Sequence, residues 1–345
     1  TVTYALLSDS DGNIWIGLND EGVLKFNPEN GSFKRISSPF WLLDVHALLE
    51  DEPGRVLIGS IGLYSAEGDQ MQIEQRFTKS RKRISVFALQ KDELGRLWVG
   101  TLGDGLFVFQ EDGELIAEFN EENGFCSNSV NQIFRDREGG LWIATYEGLV
   151  HFPEPEELGT FDVYDRKNGL FNSNIRAIQE DALGNIWVST YDGIATLLRR
   201  EKLFECYSNF NGMQIGSFVE GSATSTPDGT IYFGSPEGVC YFNPQKMKPS
   251  SSVSKLHFVE VMSKGSSDNE WVTLPVDLNK KRIVLGHKDN TLRFEFSIED
   301  FSQTERVEYA YCLPGFRDDW ISNGNHGRLF LWGLDPGTYH LQLRA

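Results

Sequence analysis

A unit of 41–45 residues recurs six times along the first two thirds of this chain. Its anchor column is Trp15, Leu57, Trp98, Trp142, Trp187 and Tyr232. Three positions earlier stands a glycine every time: Gly12, Gly54, Gly95, Gly139, Gly184 and Gly229. Six positions earlier stands Asp9, Asp51, Asp92, Asp136 or Asp181, with Thr226 in the sixth repeat. A second glycine follows the anchor, each time before an aliphatic residue: Gly22, Gly62, Gly105, Gly148, Gly193 and Gly238. Self-similarity at such a period means a solenoid, a propeller or an array, so it is the strongest constraint on the fold.

The columns are those of β-structure. Val130-Asn131-Gln132-Ile133-Phe134 and Ile175-Arg176-Ala177-Ile178 alternate with period two, the spacing of a strand. Asp-x-x-Gly is a hairpin turn, the carboxylate accepting backbone N–H groups and the glycine supplying positive φ. Residues 141–145 (Leu-Trp-Ile-Ala-Thr) form the next strand, Gly148 turns the chain into a third, and residues 159–164 supply a fourth. Four short antiparallel strands per repeat make a propeller blade. Helical patterning is nearly absent. The repeated Asp, Gly and Trp are read as structural, and the calcium-loop look of Asp9 to Gly12 lacks the remaining oxygen ligands.

The repeat Asp-x-x-Gly-x-ψ-Trp-ψ-Gly-Thr-x-x-x-Gly-Leu-x-x-Phe resembles the two-component regulator propeller repeat. The linkers Asn123-Gly124-Phe125-Cys126-Ser127-Asn128 and Asn168-Gly169-Leu170-Phe171-Asn172-Ser173-Asn174 are similar to that family's inter-blade segment. Asp228-Gly229-Thr230-Ile231-Tyr232 through Phe242-Asn243-Pro244 resembles its closing blade, with Tyr for Trp. Six repeats are visible where the family usually has seven, so the ring has six blades or is part of a seven-bladed one.

After Lys246-Met247-Lys248-Pro249-Ser250 the period stops. Alternating runs at 255–261, 282–285, 291–298, 307–313 and 338–343 read as strands of a β-sandwich. Glu308-Tyr309-Ala310-Tyr311-Cys312-Leu313-Pro314-Gly315-Phe316, then Trp320 and Leu334-Asp335-Pro336-Gly337-Thr338-Tyr339, resemble the Y_Y_Y domain, an immunoglobulin/fibronectin-III-like sandwich. The expected architecture is therefore all-β, with a propeller over 1–248 and a C-terminally truncated Y_Y_Y sandwich over 249–345. Lacking an initiator Met and a signal peptide, the chain reads as a mature segment of something longer.

Function classes narrow by exclusion. A formal net charge of −18 argues against nucleic acid and anionic membranes as partners. The longest apolar runs, such as Phe40-Trp41-Leu42-Leu43, are far short of the ~20 residues of a membrane span. Cys126, Cys206, Cys240 and Cys312 form no Cys-x-x-Cys pair and read as small buried hydrophobes, with disulfides open if the chain is extracytoplasmic. His46, His151, His257, His287, His326 and His340 make no metal-ligating spacing, so neither metal nor other cofactor is expected. No nucleophile elbow or P-loop occurs. Sialidase turns place their aspartates one position off from Ser8-Asp9-Ser10-Asp11-Gly12, and a streptogramin lyase needs clustered histidines where the repeats hold only His46 and His151.

A binding role is the better reading, since propellers bind at loop faces where successive blades converge. The loops after the Trp strand and the inter-blade linkers share one end. They present Asp104, Tyr146, Glu147, Tyr191 and Asp192, with Asn128 and Asn172, and Arg176 as an anion partner. Tyrosine stacks on sugar rings, while Asn and Asp bond hydroxyls; Asn in the linkers serves equally as a turn cap. The resemblance implies the periplasmic region of a Bacteroidota hybrid two-component receptor, sensing a glycan-derived oligosaccharide. It also implies a homodimeric ectodomain tethered to the inner membrane, a cytoplasmic histidine kinase, and control of transcription. The alternatives are a scaffold propeller for protein–protein contact and a propeller lyase or glycosidase.

Overall fold

A computed structural model describes residues 2–37, 44–74, 84–199, 202–207, 217–247, 256–265, 270–275, 282–286, 289–298, 309–314 and 317–345. The apolar run 40–43, the linker residues 248–252, His287, Glu308, Gly315 and Phe316 lie outside them. The chain divides into two compact units, Thr1–Met247 and Lys248–Ala345.

The first unit is six antiparallel sheets, each a meander of consecutive strands. Sheet 1 holds Thr3–Ser8, Ile14–Leu18, Gly22–Asn27 and Ser32–Arg35. Sheet 2 holds Ala47–Glu52, Arg55–Ser60, Gly62–Glu67 and Gln70–Ile73. Sheet 3 holds Val86–Lys91, Leu97–Thr101, Leu106–Phe109 and Leu115–Phe119. Sheet 4 holds Val130–Arg135, Leu141–Thr145, Leu149–Phe152 and Asp162–Tyr164. Sheet 5 holds Ile175–Glu180, Ile186–Thr190, Ile194–Leu198 and Leu203–Tyr207. Sheet 6 has three strands among the described residues, Ala223–Ser225, Ile231–Ser235 and Gly238–Phe242. The first strands of successive sheets pack against one another, so first strands are innermost and fourth strands outermost, as in propeller blades.

The repeated aspartate joins turn to core. In sheet 4, Asp136 Oδ1 accepts the backbone N–H groups of Glu138 (3.0 Å) and Gly140 (2.9 Å), while Oδ2 accepts the indole N–H of Trp142 at 2.8 Å. The same indole bond recurs from Trp15 to Asp9 (2.8 Å), Trp98 to Asp92 (2.9 Å) and Trp187 to Asp181 (3.0 Å). Each carboxylate is at most 6% exposed and each indole at most 4% exposed, so the pair completes itself out of water. Burial alone would raise the Asp9 carboxyl, but hydrogen bonds from Trp15, Asn13 and Lys25 outweigh it and hold it at about 2. In sheet 2, where Leu57 has no side-chain N–H to offer, Asp51 pairs with Arg55 and with Lys91 of sheet 3.

Each anchor column faces the following sheet. Trp98 packs with Leu106 and Phe119 of its own sheet and with Val130, Ile133, Ile143 and Phe152 of sheet 4. The glycine two residues after the anchor lets the sheets meet: a Cβ on Gly100 would lie 2.4 Å from Val130 Cγ1, and on Gly17 or Gly59 2.7 Å from the valine of the next sheet. Gly100→Ala is expected to destabilise the propeller by about 1–3 kcal/mol through overpacking, measured as a fall in denaturant midpoint. Ala144 and Ser189 fill the same column in sheets 4 and 5, so a loss at Gly100 as small as that of Ala144→Gly would remove this packing argument.

The second unit has two sheets over one core. The strands Val272–Thr273, Leu256–Gly265, Asp289–Ile298 and Arg328–Trp332 lie side by side in that order, and Arg317–Gly324, Tyr309–Leu313 and Gln342–Arg344 form the other sheet. Val261, Leu292, Phe294, Phe296, Tyr309, Leu313, Leu329 and Leu331 fill the space between them. Two expected strands are corrected. Residues 283–285 carry no strand, Arg282 making only an isolated bridge, and the last strand begins at Gln342, not at 338. Pro336 and Gly337 break the run before it.

Candidate ligand face

One column of the repeat is re-aimed by a bulge. The pairing of the first strand with the second shifts register between Thr3 and Ala5, Val86 and Ala88, Val130 and Gln132, and Ile175 and Ala177. The extra residues are Tyr4, Phe87, Asn131 and Arg176, each five positions before the repeat aspartate. In sheet 2 that position is His46, whose N–H donates to Gly59 O at 3.0 Å. A bulge bends its strand and redirects one side chain, and here it does so on the innermost strand of successive blades.

These side chains meet from sheet to sheet. His46 stacks on Phe87 with ring centres 3.9 Å apart and contacts Tyr4 at 4.6 Å. Asn131 Nδ2 donates to Ile175 O at 2.7 Å, and Arg176 Nη1 pairs with Glu220 ahead of sheet 6. The collar is thus aromatic on sheets 1–3 and polar on sheets 4–6. Burial pushes His46 below its ordinary range, against the pull of Asp44, so the imidazole is neutral at neutral pH.

Loops from the second strands close over the polar half. Tyr146 N donates to Ser129 O and Tyr191 N to Asn174 O, which seats both tyrosines beside the start of a first strand. The Arg176 guanidinium lies 5.7 Å from the Tyr146 ring centre and 5.4 Å from that of Tyr191, held between two aromatic faces. The Arg176 side chain is only 12% exposed, whereas Tyr191 is 51% exposed. Buried within this region, Asn131 Oδ1, Asn174 Oδ1 and Arg176 Nε have no hydrogen-bond partner.

The expected site residues divide accordingly. Tyr146, Arg176 and Tyr191 come together. Asp192 is joined to Asn172 through Nδ2–H···Oδ2 at 2.8 Å. Glu147 follows Tyr146 with an exposed side chain, its backbone N–H held by Thr145 Oγ1. Asp104 occupies the same turn in sheet 3, its N–H on Thr101 Oγ1 at 3.2 Å. Both asparagines are used by the linkers: Asn128 Oδ1 accepts Glu121 N (2.8 Å), and Asn172 Oδ1 accepts Asn174 N (2.9 Å). Glu220, Asn131, His46, Phe87 and Tyr4 were not expected here. The column shared by Asn131, His46, Phe87 and Tyr4 is visible in the alignment of repeats, but a bulge leaves no mark in a period-two pattern. Among the described residues no group of three or more His, Cys, Asp or Glu is placed to hold a metal ion.

Residues 1–20, 124–147 and 169–192 match the two-component regulator propeller family, and the last two segments run from linker to the tyrosine loop of sheets 4 and 5. The extracellular domain of a hybrid two component system from B. thetaiotaomicron is 32% identical, with a TM-score of 0.75 over 99% of this chain and 47% of that one. Histidine kinase P4 of Formosa agariphila is 22% identical over 93% of this chain, which spans 22% of that protein. Virginiamycin B lyase from Staphylococcus aureus, 11% identical with a TM-score of 0.54 over 71% of this chain and 85% of that one, shares the fold alone. The chain therefore spans about half, or less, of the sensor-like proteins it matches. Its sheets make it a β-propeller, and three of its segments match two-component regulator propeller repeats.

Proposed function

We propose that this chain is the ligand-sensing, periplasmic part of a transmembrane hybrid two-component receptor, detecting a glycan-derived oligosaccharide at the face formed by sheets 4, 5 and 6. The observation that carries the reading is the Tyr146–Arg176–Tyr191 stack: a buried cation fixes two tyrosines at the loop end of the blades, one of them half exposed. A rigid aromatic platform flanked by Glu147 and Asp192 suits pyranose stacking with hydroxyl bonding. The likeness to an extracellular domain of a hybrid two component system supports the setting. No helix of the described residues is long and apolar enough to cross a membrane; in this reading the membrane anchor and the histidine kinase are separate parts of the receptor.

Signalling follows as a population shift. Ligand favours one arrangement of two ectodomains in a homodimer, and the C-terminal sandwich, read as a Y_Y_Y domain, passes that arrangement towards the membrane. The chain itself performs no chemistry in this scheme.

Calorimetric titration with plant and host oligosaccharides, with product analysis of the same samples, tests it. The expected result is saturable binding without turnover, and Tyr191→Ala weakening it by about tenfold through lost stacking. Because Tyr191 is half exposed, that variant keeps the wild-type unfolding midpoint. Product formation would replace the sensor by an enzyme. Absence of any binding would leave a protein–protein scaffold.

A further inference from the structure

We infer that this site takes a neutral saccharide and that Glu220 sets the preference by neutralising Arg176; the inference rests on the glycan-sensing reading above. Arg176 is the one cation of the cluster among the described residues, and its charge is already matched by Glu220, whose side chain is 33% exposed. Beyond that pair stand the carboxylates of Glu147 and Asp192, next in sequence to the two tyrosines. The surroundings are therefore net negative, within a chain of net charge −18. A uronic or sulfated sugar entering here meets repulsion and no free positive partner.

The unpartnered atoms point the same way. Asn131 Oδ1 and Asn174 Oδ1 are acceptors without donors. A hydroxyl can donate to these acceptors and a carboxylate group cannot, so they call for hydroxyls rather than an acidic group at this place. A cationic amino sugar finds the carboxylates of Glu147 and Asp192, but its stacking is opposed by the Arg176 guanidinium already over both tyrosine rings.

Glu220→Gln keeps the shape of the side chain and uncovers the Arg176 charge. The probes are cellotetraose, xylotetraose and mannotetraose as neutral ligands, tetragalacturonate as the anion, and a chitosan tetramer as the cation, each titrated against wild type, Glu220→Gln and the double variant Glu220→Gln/Arg176→Gln. Wild type is expected to bind at least one neutral tetramer about tenfold or more tighter than tetragalacturonate. In Glu220→Gln the ratio of tetragalacturonate affinity to neutral-tetramer affinity should rise roughly tenfold or more, a rise lost in ~0.5 M salt and in the double variant. Unfolding midpoints of the variants, matched to wild type, show that the fold is kept. Preference of wild type for the uronate or the chitosan tetramer would overturn the inference and leave the sensor reading standing. An unchanged ratio in folded Glu220→Gln would remove Glu220 from the specificity. Failure of every probe to bind would sink the glycan reading and this inference with it.

Discussion

Replacing Asp136 by alanine is expected to lower the unfolding free energy of the propeller by about 3–5 kcal/mol, the largest effect of any single substitution considered for this chain. The carboxylate is 5% exposed. It accepts two backbone N–H groups of its own turn and the Trp142 indole, and it pairs with Arg199, which arrives from sheet 5. Alanine leaves all these donors buried and unmatched, and it leaves the Arg199 charge without its partner across the blade interface. Asp136→Asn should recover little, because its amide nitrogen meets donors at the Trp142 and Arg199 side. Urea unfolding followed by tryptophan fluorescence reads the loss. A fall of less than about 1 kcal/mol would mean that the aspartate column is a turn signal only, since that is the scale of an ordinary neutral hydrogen bond.

The neighbouring histidine makes acid stability the second large effect. His151 stacks flat on Trp142, with ring centres 3.7 Å apart, while Arg199 sits over the same indole at 5.5 Å. Burial lowers the His151 pKa to about 4; Asp136 opposes the shift and Arg199 adds to it. Because the folded value lies below the ordinary 6.5, the unfolded chain takes up the proton first as pH falls. Stability from this group is complete above pH ~6.5, declines by about 1.4 kcal/mol per pH unit below that, and by pH 4 has fallen by about 3 kcal/mol. Other groups titrate in this range, so the measurement is a difference: His151→Gln should show a shallower loss of midpoint between pH 6.5 and 4 than wild type. Parallel pH profiles would rule out His151 as the cause.

The two columns of the repeat differ in how readily they reveal themselves. Asp and Trp six residues apart are chemically distinctive and have one structural job in each of four sheets, so the repeat and the blade are legible together. Where the pair is broken the exception is legible too: Leu57 marks a sheet whose aspartate needs cations instead. The column five residues before the aspartate holds Tyr4, His46, Phe87, Asn131 and Arg176, aromatic in three repeats and polar in two. In four of them a bulge re-aims the side chain, and a one-residue shift of register turns a side chain from one face of a strand to the other without changing the alternation.

The candidate site was only partly readable for the same reason. Tyr146 and Tyr191 stood out as aromatic loop residues, and Arg176 as a cation on an inner strand, but nothing in their spacing says that the guanidinium lies between the rings. Asn128 and Asn172 have the right chemistry for a ligand, yet linker backbone groups a few residues away claim their side-chain oxygens. Glu220, 44 residues from its partner, is not recognisable as a site residue from sequence.

The sequence by itself therefore determined the blade, since the hairpin turn recurs in six repeats, the carboxylate in five and the tryptophan in four, each within the reach of one meander. Only the tertiary structure decided which side chains meet at the centre. That depends on the bulge in four of the inner strands and on contact between residues one whole blade apart, and neither leaves a periodic signal in the chain.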